Sequence, residues 1–228
     1  PTNNTYCANA WNTDNIGFQC LAVGPDLHSF ASTSHWSSLP VTIVKSYPHV
    51  KLGSPVLPLP LANISTLALN VNWSLGTNAS VPGAPLDVPL LTKQLNTINN
   101  VAFDIWADPD PVRAANESQA SIEIMIWLAV LGHVNPLGWD KPTHGSIVIS
   151  PGLNFTLYSG EGPNGQKVLT WFPEGNYTNI RHDFSPLVKY LVEKKHLPGD
   201  AFVGTVAFGA ESFFSEGPVT FKAEGLEL

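Results

Sequence analysis

Between Ser121 and Leu128 every even-numbered residue is aliphatic, while the odd ones are Ser121, Glu123, Met125 and Trp127. A period of two marks a strand whose successive side chains point to opposite faces. One face of this segment therefore belongs to a core. The other presents a carboxylate beside a thioether and an indole. Asn100–Trp106 repeats the split: Val101, Phe103 and Ile105 pack inward, and Asn100, Ala102, Asp104 and Trp106 face the other way. In 202–211, Phe202, Val206 and Phe208 go inward, whereas Val203, Thr205, Ala207, Gly209 and Glu211 share the opposite face. If the three strands are neighbours, Asp104, Glu123 and Glu211 converge on one surface.

The rest of the chain supports a strand-built fold. Alternating segments at 41–47, 66–73, 146–150, 153–158, 167–172 and 218–223 are separated by turn residues, with 20 Pro and 18 Gly spread throughout. Many short strands of this kind predict an all-β sandwich or jelly roll. With 228 residues, no internal repeat and no linker, a single domain over 1–228 is the simplest organisation. One segment departs from the pattern. Ser185 is placed to cap a helix, Pro186 fits its first turn, and Leu187, Val188, Leu191 and Val192 form one apolar stripe. A single short helix lying on one sheet's outer face is expected there.

An isolated carboxylate on a half-exposed strand is ordinarily just solvated. Here the acids keep company with Met125, Trp127 and Trp106, and no Lys or Arg in those segments balances them. Aromatic rings beside paired acids suit sugars, which present apolar C–H faces and polar rims. Glycoside cleavage needs one carboxyl to protonate the leaving oxygen and a second to meet the oxocarbenium-like centre. A separation of about 5–5.5 Å means a covalent intermediate and retention, and a wider gap admits water and inverts.

Glu123-Ile124-Met125-Ile126-Trp127-Leu128, Asn100-Val101-Ala102-Phe103-Asp104 and Phe208-Gly209-Ala210-Glu211 resemble the three signature segments of glycoside hydrolase family 12. Val44-Lys45-Ser46-Tyr47-Pro48 also resembles a motif of that family. With Trp11, the Pro136 loop and the single helix, the likeness runs through nearly the whole chain in order. It implies a jelly roll of two curved antiparallel sheets with a concave substrate cleft. It further implies an extracellular, retaining endo-β-1,4-glucanase or xyloglucanase that needs no metal or other cofactor. By its motifs, Glu123 is the nucleophile, Glu211 the general acid/base, and Asp104 the group that orients Glu123. Met125 sits beside the nucleophile and Trp11 lines the non-reducing-end side of the cleft. Trp36, Asn100, Trp106, Trp127 and Pro136 complete the expected sugar-binding set. Trp139 and Trp171 are additional aromatics for which packing is expected.

A net charge of −7, with 11 Lys plus Arg and no basic cluster, argues against nucleic acid as a partner. No apolar run is long enough to span a membrane. The opening at Pro1 is that of a mature chain after signal removal, and Asn-x-Ser/Thr sequons begin at Asn3, Asn63, Asn72, Asn78, Asn116, Asn154 and Asn176. These features lead to the expectation of a secreted, glycosylated monomer acting on β-glucan or xyloglucan. In an oxidising compartment Cys7 and Cys20 would close a local disulfide, and two free thiols are the alternative. No Cys or His spacing suggests a zinc site. Two rivals to an enzyme stand: a non-catalytic carbohydrate-binding jelly roll, and an interaction protein that keeps the scaffold without catalysis.

Overall fold

The computed structural model describes residues 3–13 and 16–228; Pro1, from which a mature terminus is expected, lies outside them. In chain order the strands are β1 (Thr5–Cys7), β2 (Gly17–Val23), β3 (Phe30–Trp36), β4 (His49–Lys51), β5 (Leu59–Pro60), β6 (Ala68–Gly76) and β7 (Ile98–Asp108). A short helix α1 (Pro111–Ala114) precedes β8 (Ile122–Leu131), β9 (Ser146–Ser150), β10 (Leu153–Glu161), β11 (Lys167–Pro173) and β12 (Asn179–Asp183). Helix α2 (Ser185–Glu193), β13 (Phe202–Phe214) and β14 (Val219–Glu227) complete the chain.

These strands build two sheets. The larger runs β1-β4-β13-β7-β8-β11-β10-β9, with β5 on β13, and the smaller runs β12-β6-β14-β3-β2. Pairing is antiparallel except between β8 and β11, which lie parallel. The architecture is the jelly-roll sandwich expected. The aliphatic parity of β7 and β8 places Val101, Phe103, Ile105, Ile122, Ile124, Ile126 and Leu128 in the main core, against Trp73, Phe221 and Phe30 of the smaller sheet. Burying so many large apolar groups between two layers is what drives the sheets together.

Local differences from the sequence reading have identifiable causes. Residues 41–47 form a turn, because the amides of Lys45 and Ser46 both donate to the Ser212 carbonyl at 2.9 and 3.3 Å. Strand β3 shows no apolar alternation in its sequence, because its buried face carries Ser32 and Ser34 between Phe30 and Trp36. In β13 the register shifts between Val203 and Thr205, so Val203 enters the core and Phe202 does not. Gly204 sits in that irregularity, and a Cβ there would meet the Ala114 carbonyl carbon at 2.1 Å. The close approach of α1 thus requires glycine, and the bulge flips the parity.

Helix α2 forms where expected, with a different cap and a different seat. Phe184, not Ser185, is the N-cap residue, and the Asp183 carboxylate accepts from the Ser185 amide at 2.9 Å. Leu187, Val188 and Leu191 enter the main core, and Tyr190 packs edge-on against fully buried Trp171. The helix therefore closes an open side of the sandwich rather than lying on an outer face.

The expected disulfide is absent. Cys7 and Cys20 are free thiols. Tyr6 and Leu21 are the residues of β1 and β2 that reach the core, so alternation turns Cys7 to the opposite side of the larger sheet and leaves Cys20 exposed on the smaller one. Two thiols pointing out of opposite sides of a sandwich cannot meet.

Candidate active site

The face of the larger sheet turned away from the core is where the acids gather. Cross-strand register sets Asp104 opposite Ala207 on one side and Met125 on the other. It also sets Trp106 opposite Glu123, and Asn100 opposite Glu211. Three adjacent strands, β13, β7 and β8, thereby supply the three carboxyls from one surface. Asp104 is 1% exposed, whereas Glu123 and Glu211 are only partly covered, each with a solvent-facing edge in a largely protein-lined floor. Met125, Trp127, Ala102 and Val168 form an apolar bed beside the acids on the same face.

Small residues in β13 make room for a second layer. A Cβ at Gly209 would meet the Pro48 carbonyl oxygen at 2.2 Å, and Ala207 packs with Tyr47 and Trp106. Tyr47 can therefore lie on the sheet and hydrogen-bond Asp104 through its hydroxyl, which also reaches the Ala102 carbonyl at 3.4 Å. His49 stacks on Tyr47 with ring centroids 4.6 Å apart, and its Nδ1 contacts the Tyr47 carbonyl at 2.7 Å. Beyond His49, Glu117 pairs with Lys51 at 2.8 Å. The Nδ2 of Asn100 donates to Oε2 of Glu211 at 2.5 Å.

Burial pushes all three acids above their ordinary range, and repulsion from neighbouring carboxylates adds to it for Asp104 and Glu123. Asp104 is raised well above it by burial first, then by the charges of Glu123 and Glu211. Burial, then Glu211 and Glu117, raise Glu123 to about 8. Glu211 is raised to about 7 by burial, opposed by the hydrogen bond from Asn100 that favours its ionised form. Such a cluster holds protons near neutrality. It can give one proton away and still present a carboxylate, which is what acid-assisted displacement at a sugar requires.

The expected sugar-binding residues divide. Asn100, Trp106, Met125 and Trp127 lie with the acids on the same face, all nearly buried. Trp11 is exposed at the rim, where its backbone N–H donates to the Lys45 carbonyl at 2.8 Å, beside the β13 segment that carries Glu211. Trp36 is 5% exposed and donates from Nε1 to Ser46 Oγ at 2.9 Å. Its indole is therefore engaged in packing, not displayed to a cleft. Pro136 is buried and holds the loop by accepting from the Trp139 amide at 3.1 Å. Trp171 is in the core as expected, whereas Trp139 is 45% exposed. Trp139 continues a row of rings, 5.3 Å from Phe172 and 4.9 Å from Tyr158, with Trp127 5.8 Å from Phe172. Strand parity could have shown Phe172 and Tyr158. Glu117 could not be found that way, because it sits in a loop with no periodicity.

Among the described residues no group of three or more His, Cys, Asp or Glu is arranged to hold a metal ion, and no helix is long and apolar enough to cross a membrane.

Comparison with known proteins fits this geometry. A probable xyloglucan-specific endo-β-1,4-glucanase A of Aspergillus flavus is 32% identical over 130 residues, which span 55% of this chain and 51% of that relative. The aligned stretch is thus about half the length of that protein. A Phytophthora nicotianae protein named as an inactive glycoside hydrolase is 28% identical over 211 residues, covering 90% of this chain and 77% of its own. The catalytic domain of Humicola grisea Cel12A, crystallised with a thio-cellotetraose, superposes with a TM-score of 0.76 at 22% identity, over 97% of this chain and 90% of that one. At that identity the match speaks for the fold. The model of glycosyl hydrolase family 12 matches residues 4–227, and the chain belongs to that family.

Proposed function

We propose that this protein is a retaining endo-β-1,4-glucan hydrolase acting on xyloglucan or cellulose-type chains. The observation that carries the reading is the convergence of Asp104, Glu123 and Glu211 on one floor, together with buried polar atoms that lack protein partners. Asn100 Oδ1, Asp104 Oδ1 and Trp127 Nε1 are all of this kind. Buried polar atoms normally find partners, and sugar hydroxyls supply both donors and acceptors.

In the first step Glu211 transfers its proton to the glycosidic oxygen as Glu123 attacks the anomeric carbon. The C–O bond to the leaving chain breaks and a glycosyl ester forms. In the second, Glu211 takes a proton from water, the water oxygen attacks the same carbon, and Glu123 leaves as carboxylate. Asp104 keeps its proton and steadies Glu123, itself held by Tyr47 from the other side. Two ionised carboxylates so placed would repel, so the proton on Asp104 is part of the design.

The test is hydrolysis of xyloglucan and carboxymethyl cellulose, with the first-formed anomer followed by NMR. β-Anomer appearing first supports the reading, and α-anomer first or no release of reducing ends overturns it. The named inactive relative makes a catalytically silent sugar binder the second reading, and absence of turnover with retained binding would favour it. We also propose secretion, supported by the seven sequons. Recovery of the native protein from the culture medium tests this.

A further inference from the structure

The far edge of the same face carries a second constellation that the reaction centre does not use. Strands β11, β10 and β9 lie beyond β8, on the side of the sheet opposite to Trp11. Alternation brings Phe172 and Glu174, then Asn154, Thr156 and Tyr158, then Ser146 to one surface, where they line a groove of about 510 Å³. The groove begins where the ring series Trp127–Phe172–Trp139–Tyr158 ends.

Its position is rigid. Gly138 adopts φ +82, and a Cβ there would meet the Ser159 carbonyl oxygen at 2.0 Å, while one at Gly160 would meet Leu137 Cβ at 2.4 Å. The loop that bears Trp139 is thereby pressed onto β10. Its chemistry is that of a polyol site. Asn154 is half-buried, its Nδ2 donates to the exposed Glu174 carboxylate, and its Oδ1 is buried with no hydrogen-bond partner. Ser146 and Thr156 share a hydroxyl contact of 3.0 Å at the other wall. Acceptors and hydroxyls beside aromatic edges suit a neutral sugar, and the carboxylate excludes an anionic one.

We propose that this groove is an accessory sugar subsite, binding a residue of the polysaccharide well beyond the bond that is cut. It rests on the polysaccharide-hydrolase reading above. From β8 to the β10–β9 boundary is two to three strand spacings, roughly 10–14 Å. The occupant is therefore not the sugar undergoing cleavage, and only longer chains reach it. Trp139 and Phe172 bridge the interval as a stacking rail.

The test compares Asn154→Ala, Glu174→Ala and Trp139→Ala with wild type on a long xyloglucan oligosaccharide, a long linear cello-oligosaccharide and a short chromogenic cello-oligosaccharide. The ratio of kcat/KM on long over short substrate should fall roughly 3- to 10-fold in each variant, the range of one lost hydrogen bond or ring contact. The fall should appear in KM, and thermal unfolding should report that each variant is folded. A drop confined to xyloglucan assigns the groove to a branch sugar, and a drop on both long substrates assigns it to the backbone chain. An unchanged ratio in folded variants overturns the subsite while leaving the hydrolase reading intact. A wild-type protein that cleaves none of the three instead removes the reading on which it rests. Because Asn154 begins a sequon, peptide mapping of the native protein supplies an independent check: a glycan on Asn154 would fill the groove and sink the proposal.

Discussion

Asn100 and Glu211 face each other across β7 and β13, and the amide Nδ2 donates to the carboxylate Oε2 at 2.5 Å. This bond is the one contact that opposes the upward shift of Glu211 from burial. In Asn100→Ala the ionised form of Glu211 loses its donor, so its pKa rises further. Glu211 has the lower of the two raised values, about 7 against about 8 for Glu123, so the limb of the kcat/KM profile that it sets should move to higher pH. A profile in which neither limb moves up would show that Asn100 does not tune Glu211.

Glu123→Gln and Glu211→Gln should each lower turnover by about 10³-fold or more while increasing stability near neutrality. The sign follows from linkage. Both folded-state values, about 8 and about 7, lie above the ordinary 4.5. The stabilising contribution of each protonated carboxyl is complete below about pH 4.5 and is lost as pH rises through 7 to 8. A neutral amide does not incur that loss. Thermal scans should therefore show the variants ahead of wild type by a few °C, about 2–4 °C per kcal/mol for a domain of this size, at pH 8. The gap should close at pH 4. A variant less stable than wild type at pH 8 would contradict the burial argument.

Gly209→Ala tests the second layer. The new methyl would press on the Pro48 carbonyl and on His49, forcing β4 and Tyr47 away from the sheet. A loss of about 1–3 kcal/mol is expected from overpacking, read as a lowered denaturant midpoint. kcat should fall alongside it, since Tyr47 no longer steadies Asp104. Wild-type turnover in a destabilised Gly209→Ala protein would separate Tyr47 from the chemistry.

Glycan occupancy should follow exposure. Asn3, Asn63, Asn78, Asn116 and Asn176 are exposed, whereas Asn72 and Asn154 are half-buried in β6 and β10. Mass mapping of the protein expressed through a secretory pathway should find glycans among the first five and none on the last two. Full occupancy at Asn72 would mean that its strand is open when the sugar is added.

Much of this protein was determined by its sequence alone, because a strand has a short, rigid period. The alternation in 100–106 and 121–128 suffices to assign core and cleft faces, and with them Asp104, Glu123, Met125 and Trp127. Helix α2 was legible from Pro186 and its apolar stripe. Only the tertiary structure decided the rest, since those features depend on partners distant in sequence. The bulge at Gly204 exists because α1 packs against it, and it moved Val203 from the cleft face into the core. Trp36 lost its place in the cleft once its indole met Ser46, and Cys7 and Cys20 diverged because their strands joined different sheets. Glu117 reaches the site from a loop, paired with Lys51, and no periodicity foretells where a loop side chain ends. Period-two order is local and reads directly; register, bulges and loop contacts are settled by what packs across the sheet.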